Sequence, residues 1–180
     1  MVKNMQTKNA QKLFILTVFV IVFFSFAFAY LEYNYFLVDG TPYREAKTPI
    51  IASLYSYDLF IFIPALALFS FYPLIWQVFS RKIISKSVRK ITALGVGSFL
   101  LGVVIKDASW HLLRAIVPIS TDPLAHQWIR PTDSTATFMG YAEIFGLRIP
   151  LWYLALLTLI TAIFISLLIS QNSNPESNKK

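Results

Sequence analysis

The chain has 180 residues (20.5 kDa), of which 56% are hydrophobic, 16% aromatic and only 14% charged, and its mean hydropathy is +0.59. Soluble domains are about 25% charged, so this composition argues against an ordinary soluble enzyme and against a disordered chain. Cysteine is absent, which excludes disulfides, thiolate metal sites and a thiol nucleophile. These features are typical of a small polytopic membrane protein.

Four apolar stretches predict membrane-spanning helices, because a helix needs roughly 20 apolar residues to cross the hydrocarbon core. They cover residues 13–31, 59–79, 88–106 and 149–169. The third ends at Lys106, whose long side chain is expected to reach the interface. The small residues Ala93/Gly97 and Ser98/Gly102 predict close packing of this span against a neighbour within the chain. We therefore predict an all-α membrane protein with a four-helix transmembrane bundle.

The basic residues are distributed unequally over the segments that join these spans. The N-terminal tail (1–12), the loop between spans two and three taken together with the first residues of span three (80–90), and the C-terminal tail (171–180, expected to be disordered) hold ten of the sixteen Lys and Arg residues but only one of the nine acidic residues. Their net charge is +9 and that of the remaining segments is −2, which together give the formal +7. Since Lys and Arg favour the cytoplasmic side, both termini are predicted to be cytoplasmic, in the plasma membrane. The positive charge therefore indicates topology and contact with anionic lipids, and it does not indicate nucleic-acid binding.

The first apolar run has a second interpretation. Preceding lysines, an apolar run and Ala27-Phe28-Ala29 are also typical of a cleaved signal peptide that would end near residue 29. The run is long for such a signal and the small residues have aromatic neighbours, so we expect it to be retained as an anchor. Cleavage would leave three spans with the same loops outside.

The segment between spans three and four, residues 107–148, is much longer than a usual helix connection. Its aromatic residues, interspersed with polar ones, predict a structured extracytoplasmic loop. Residues 107–117 should continue span three as a helix as far as Pro118. One of residues 132–134 is positioned to cap a short second element, and two later glycines indicate turns.

The two histidines of the chain, His111 and His126, both lie in this loop, and each follows an aspartate by four positions. At about 100° per residue, Asp107, His111 and Arg114 fall on one narrow stripe of the predicted helix. An ionisable stripe is costly to bury at membrane depth, so it indicates a functional site. Asp107, His111 and His126 are therefore candidate ligands for Zn or Cu, since two imidazoles and a carboxylate suit these ions.

Three further residues, Asp122, Arg114 and Glu143, are candidates to orient these ligands or to complete the site. The competing interpretation is structural, with Asp107 and His111 forming an ordinary i,i+4 pair, Arg114 pairing with Asp107 or Asp122, and His126 lying near the headgroups. A pH-responsive His–Asp pair is a further alternative.

The stretch Asp107-x-x-Trp110-His111, followed by Asp122 and His126, resembles the copper-binding segment of the C subunit of the membrane copper monooxygenases, the methane and ammonia enzymes. The resemblance covers residues 107–128 of the chain. It implies that Asp107, His111 and His126 hold copper in a membrane-embedded site, within an enzyme of several subunits. Fourteen residues separate the two histidines here, more than in the family.

The sequence favours a non-catalytic membrane subunit or small membrane protein with a metal or ligand site on its outer face. One alternative is a Cu- or Zn-binding subunit of a membrane oxidoreductase, and another is a transporter or channel component. The spans carry almost no ionisable residues, which argues against a central ion path. Whether the protein is itself an enzyme stays open. Its expected partners are membrane lipids and other membrane subunits.

Overall fold

The computed structural model describes residues 2–37, 58–79, 85–116, 127–131 and 133–172. In these ranges the fold is mostly helical, as predicted. The elements in chain order are α1 (Val2–Leu37), a π-helical turn (Asp58–Phe62), α2 (Ile63–Phe79), α3 (Ser85–Ile116), α4 (Ser134–Thr137), β1 (Tyr141–Ile144), β2 (Leu147–Pro150) and α5 (Leu151–Asn172).

Four helices are long and apolar enough to cross a membrane, in agreement with the four predicted spans. These segments are Lys12–Asn34, Phe60–Phe79, Val88–Ile116 and Leu151–Ser170. Many of their large apolar side chains point away from the protein, and Phe19 and Phe23 of α1, for example, are 65% and 66% exposed. Because a soluble monomer rarely exposes so much contiguous apolar surface, these features are those of a small polytopic membrane protein.

Two helices are longer than the predicted spans. α1 begins at Val2 and therefore includes most of the segment that was predicted to be an N-terminal tail. No glycine or proline interrupts its 36 residues. α3 continues past Lys106 to Ile116, as expected for residues 107–117.

The third helix lies at the centre of the helical packing, since α1, α2 and α5 all contact α3. Its glycines permit this close approach. A Cβ at Gly97 would lie 2.5 Å from the ring of Phe164 in α5, and one at Gly102 would lie 2.5 Å from Leu66 in α2. The small residues of span three thus pack against neighbours within the chain, as predicted.

Two apolar clusters flank α3. The first joins α1, the π-helical turn and α2, and its buried members are Ile21, Phe62 and Leu66. The second joins α3, α5 and the residues between them, and its buried members are Val104, Ile129, Ala136 and Tyr153. The second cluster lies at the end of the molecule where α3 ends and α5 begins, which we call the α3–α5 end.

The described part of the connection between α3 and α5 contains a short helix and a β-hairpin. The carbonyl of Asp133 accepts hydrogen bonds from the amides of Ala136 (2.9 Å) and Thr137 (3.0 Å), so Asp133 begins the turn of α4, within the predicted capping range. β1 and β2 then pair antiparallel. Gly140 and Gly146, which were predicted to mark a turn, have φ of +81° and +77°, whereas the strands themselves were not predicted.

Candidate functional site

Lys106 and Asp107 are adjacent on α3 but face different neighbours, because successive helical residues are about 100° apart. Lys106 faces α1 and the π-helical turn, whereas Asp107 faces α5 and α4. Each is the centre of a separate polar cluster at the α3–α5 end. We call them the Lys106 cluster (Glu32, Asp58 and Lys106) and the His111 cluster (Asp107, His111, Arg114, Asp133, Thr135 and Tyr153).

The Lys106 cluster consists of two short ion pairs. The ammonium Nζ of Lys106 lies 2.7 Å from Glu32 Oε2 and 2.7 Å from Asp58 Oδ1. All three residues are buried, and the ammonium also lies 5.6 Å from the ring centre of Phe62. The predicted exposure of Lys106 at the interface is therefore wrong, because carboxylates from α1 and the π-helical turn converge on it inside the protein.

In the His111 cluster, Asp107 is bound by hydroxyl groups from two other elements. Its Oδ2 accepts a hydrogen bond of 2.7 Å from Thr135 Oγ1 in α4 and one of 2.6 Å from Tyr153 Oη in α5. Tyr153 is only 2% exposed and belongs to the second apolar cluster. One carboxylate oxygen thus joins three helices.

Arg114 and Asp133 form the strongest polar contact between α3 and the connection that follows it. Arg114 Nη1 lies 2.9 Å from Asp133 Oδ1, and Nη2 lies 2.6 Å from Oδ2, so the pair is bidentate. The Arg130 amide also donates to Asp133 Oδ2 at 2.7 Å. Partial burial alone would raise the pKa of Asp133, but these donors outweigh burial and hold that pKa below its usual range.

His111 lies between these two carboxylates and is 5% exposed. Its Nε2 is 3.8 Å from Asp107 Oδ2, and its Nδ1 is 3.6 Å from Asp133 Oδ2. Both distances exceed the length of a hydrogen bond. Nδ1 is buried and has no hydrogen-bond partner among the residues that the structure describes. The imidazole is thus held beside two acceptors without being bound to either.

The predicted site is partly assembled. Asp107 and His111 share one helix face as predicted. Arg114 pairs with Asp133, an aspartate that was not among its predicted partners. Glu143 is instead in the hairpin, where its Oε1 accepts a 3.2 Å hydrogen bond from Arg148 Nε at an exposed position. His126 and Asp122 lie outside the described residues.

Sequence reasoning missed the partners that come from other elements. Glu32 and Asp58 entered the sequence analysis only through the net charge of −2, Asp133 was named only within a capping range, and Thr135 and Tyr153 were not considered. Tyr153 lies in an apolar span, where a hydroxyl group is the one signal that could have indicated a buried polar partner.

In the described ranges, no group of three or more His, Asp or Glu side chains is arranged to hold a metal ion. Two ligand atoms on a tetrahedral ion with bonds of 2.0–2.2 Å are about 3.4 Å apart. The 3.8 Å between His111 Nε2 and Asp107 Oδ2 is slightly longer than this separation. Asp107 Oδ2 already accepts hydrogen bonds from Thr135 and Tyr153, and the third predicted ligand, His126, lies outside the described residues.

Comparison with known protein families, with curated proteins and with solved structures finds no match for this chain.

Proposed function

We propose that the protein is a non-catalytic subunit of a plasma-membrane assembly, with both termini cytoplasmic and the α3–α5 end outside. The proposal rests on the four apolar helices and on the basic residues of the tails and of the loop between spans two and three. In this orientation both polar clusters lie at the outer end of the helices.

One observation carries the subunit role, namely the outward side of α5. This helix packs mainly against α3, and its opposite side bears a shallow groove lined by Ala162, Ile165, Ser166, Ile169 and Ser170. Three of these residues are small and recur at intervals of four, which lets the backbone of a second helix approach closely. Lipid tails gain little packing free energy from such a groove, whereas a helix of another subunit packs closely into it.

The test compares two substitutions on α5. Ser166→Phe fills the groove, and Leu168→Phe enlarges an exposed residue of the same helix that does not line the groove. We expect the native mass in mild detergent to exceed that of one copy for the unaltered chain and for Leu168→Phe, and to fall for Ser166→Phe. A single 20.5 kDa copy from its own membrane would refute the proposal. A native mass that is a simple multiple of 20.5 kDa would indicate that the partner is a second copy of this chain and not a different subunit.

The position of His111 favours a second candidate function, the binding of copper or zinc by Asp107, His111 and His126. The observation behind it is the buried imidazole with an unpartnered Nδ1 among the described residues and a carboxylate oxygen 3.8 Å from Nε2. A bound ion would supply Lewis acidity or redox chemistry, while Thr135 and Tyr153 would orient the Asp107 carboxylate.

Metal content of the purified protein tests this candidate. We expect about one Cu or Zn per chain in the unaltered protein and a loss in His111→Ala and in His126→Ala. Glu143→Ala is the matched control, because Glu143 lies apart from the cluster in the exposed pair with Arg148. Equal metal content in all four proteins would refute metal binding and leave the subunit proposal intact.

A further inference from the structure

The two faces of the β-hairpin differ in polarity. Cross-strand partners share a face, and the register pairs Ala142 with Ile149 and Ile144 with Leu147. One face is therefore entirely apolar. The other face carries Tyr141, Glu143, Arg148 and Pro150.

Only the part of the apolar face nearest α5 packs against the protein. Ile149 contacts the second apolar cluster. Farther along, Ile144 and Leu147 are 38% and 51% exposed, and Phe145 between the strands is fully exposed. We call Ile144, Phe145 and Leu147 the hairpin tip. A Cβ at Gly146 would have no atom within 4 Å, so the space around the turn is open.

The backbone of Phe145 is unusual for an aromatic residue. Its φ of +52° lies in the left-handed region, which costs free energy for any residue with a Cβ. The ring recovers none of this cost by packing, since it is fully exposed. Positive φ at both central residues is the geometry of a two-residue hairpin turn, in which Asn, Asp or Gly is the usual first residue, so Phe145 places an aromatic ring where a small or polar residue is more common.

The hairpin carries no net charge that would keep its tip in water. The charged residues between Phe138 and Leu151 are Glu143 and Arg148, and they pair at 3.2 Å. Arg148 Nη1 also donates to Gln127 Oε1 at 2.7 Å. Both charges are thus directed to the polar face, and the tip itself is uncharged.

The tip is also close to the predicted membrane boundary. β2 runs directly into α5, and the Leu151 amide donates to the Gly140 carbonyl at 3.0 Å. Four strand residues reach about 13 Å. The headgroup region extends about 5–8 Å beyond each side of the hydrocarbon core, so the tip lies within this region when the hairpin is inclined to the membrane normal.

We infer that the hairpin tip inserts into the lipid interface and fixes the α3–α5 end against the membrane surface. This inference rests on the proposed membrane-spanning role. Lipid is favoured over a protein partner because the tip is small, uncharged and joined through β2 directly to the apolar helix α5. Lipid requires only apolar area, whereas a protein partner would require a complementary shape.

The absence of cysteine allows single labels to be placed without background. Phe145→Cys and Leu147→Cys carry a nitroxide spin label at the tip, and Leu147→Cys leaves the Phe145 ring in place. Glu143→Cys carries the same label on the polar face. Phe19→Cys, on the exposed side of α1, reports separately whether the protein spans the membrane. The full chain is reconstituted into phosphatidylcholine vesicles, and collisions with oxygen and with a water-soluble nickel chelate are measured.

We expect the labels at 145 and 147 to collide mainly with oxygen, as at position 19, and the label at 143 to collide mainly with nickel. Nickel-dominated collisions at 145 and 147, with an oxygen-dominated signal at 19, would overturn the inference and keep the membrane-spanning proposal. Nickel-dominated collisions at 19 would overturn both. Tip labels that are immobilised and shielded from both reagents would indicate a contact with protein, and this result would also overturn the inference that the tip inserts into lipid.

Discussion

The two polar clusters on α3 begin at adjacent residues and yet differ in character. In the Lys106 cluster every charged group lies in an ion pair of 2.7 Å. In the His111 cluster a bidentate ion pair and two hydroxyl donors surround an imidazole that is hydrogen-bonded to neither flanking carboxylate. The first cluster joins α3 to α1 and the π-helical turn, and the second joins it to α4, α5 and Asp133.

This difference predicts different consequences of substitution in the two clusters. Paired buried charges hold helices in register, and removal of one partner leaves the other uncompensated. An imidazole placed between acceptors without a bond to either is able to take a proton or a ligand without breaking existing contacts. The following substitutions test this distinction, in order of expected effect.

The largest effect is expected for Lys106→Met, which leaves two carboxylates buried without their cation. We expect a loss of roughly 3–5 kcal/mol in the free energy of unfolding, measured by denaturant titration in detergent micelles. The triple variant Lys106→Met/Glu32→Gln/Asp58→Asn removes all three charges and should recover most of that loss. If Lys106→Met alone were as stable as the unaltered protein, the ion pairs would not hold α1 and the π-helical turn to α3.

A smaller and more local effect is expected for Arg114→Ala. Loss of the bidentate contact to Asp133 should cost about 3 kcal/mol. Because this contact holds Asp133 to α3, hydrogen exchange should accelerate in residues 127–137 and stay unchanged in α1. Arg114→Lys keeps the charge but not the bidentate geometry. Its stability and its exchange rates should therefore lie between those of Arg114→Ala and those of the unaltered protein. Equal exchange rates for Arg114→Lys and the unaltered protein would show that charge alone suffices.

The contrast between these clusters also shows what the sequence could reveal. The spans follow from runs of about 20 apolar residues, and the shared face of Asp107, His111 and Arg114 follows from the repeat of the helix. Both are properties of a single segment. The partners Asp133 and Tyr153 come from other elements, and their positions depend on how those elements pack.

Lys106 illustrates the same limit. At the end of an apolar span, a lone lysine is expected to extend toward water. The structure buries it because Glu32 and Asp58 are brought to the same point by α1 and the π-helical turn. The hairpin was missed for another reason, since strands of four residues are too short for a clear alternating pattern.

A third substitution, Tyr153→Phe, removes one of the two hydroxyl donors of Asp107 Oδ2 without changing the packing of the ring. We expect a loss of about 1.5 kcal/mol. Tyr141→Phe in the exposed hairpin is the control and should change stability by less than about 0.5 kcal/mol. Thr135→Val removes the other donor, and because both donors share one oxygen, the double variant should deviate from additivity. Strict additivity would show that the two hydroxyls act independently.

The smallest effect at neutral pH is expected from the titration of Asp133. Its pKa in the folded protein is lowered from an unfolded value of about 3.9. The ion pair of Asp133 therefore contributes fully to the stability of the fold at any pH above about 3.9. The contribution is lost as pH falls through the lower folded pKa. Hydrogen exchange of residues 127–137, corrected for the intrinsic pH dependence, should therefore stay constant from pH 7 to 5 and accelerate only below about pH 4.

Asp133→Asn should abolish this acid transition, because the amide does not titrate. A transition between about pH 5 and 8 that persists in Asp133→Asn and disappears in His111→Gln would instead belong to the imidazole. In that case the His111 cluster would respond to protons near neutral pH through the imidazole of His111, which is hydrogen-bonded to neither flanking carboxylate. The Lys106 cluster, in which every charged group is already paired, should show no corresponding transition in that range.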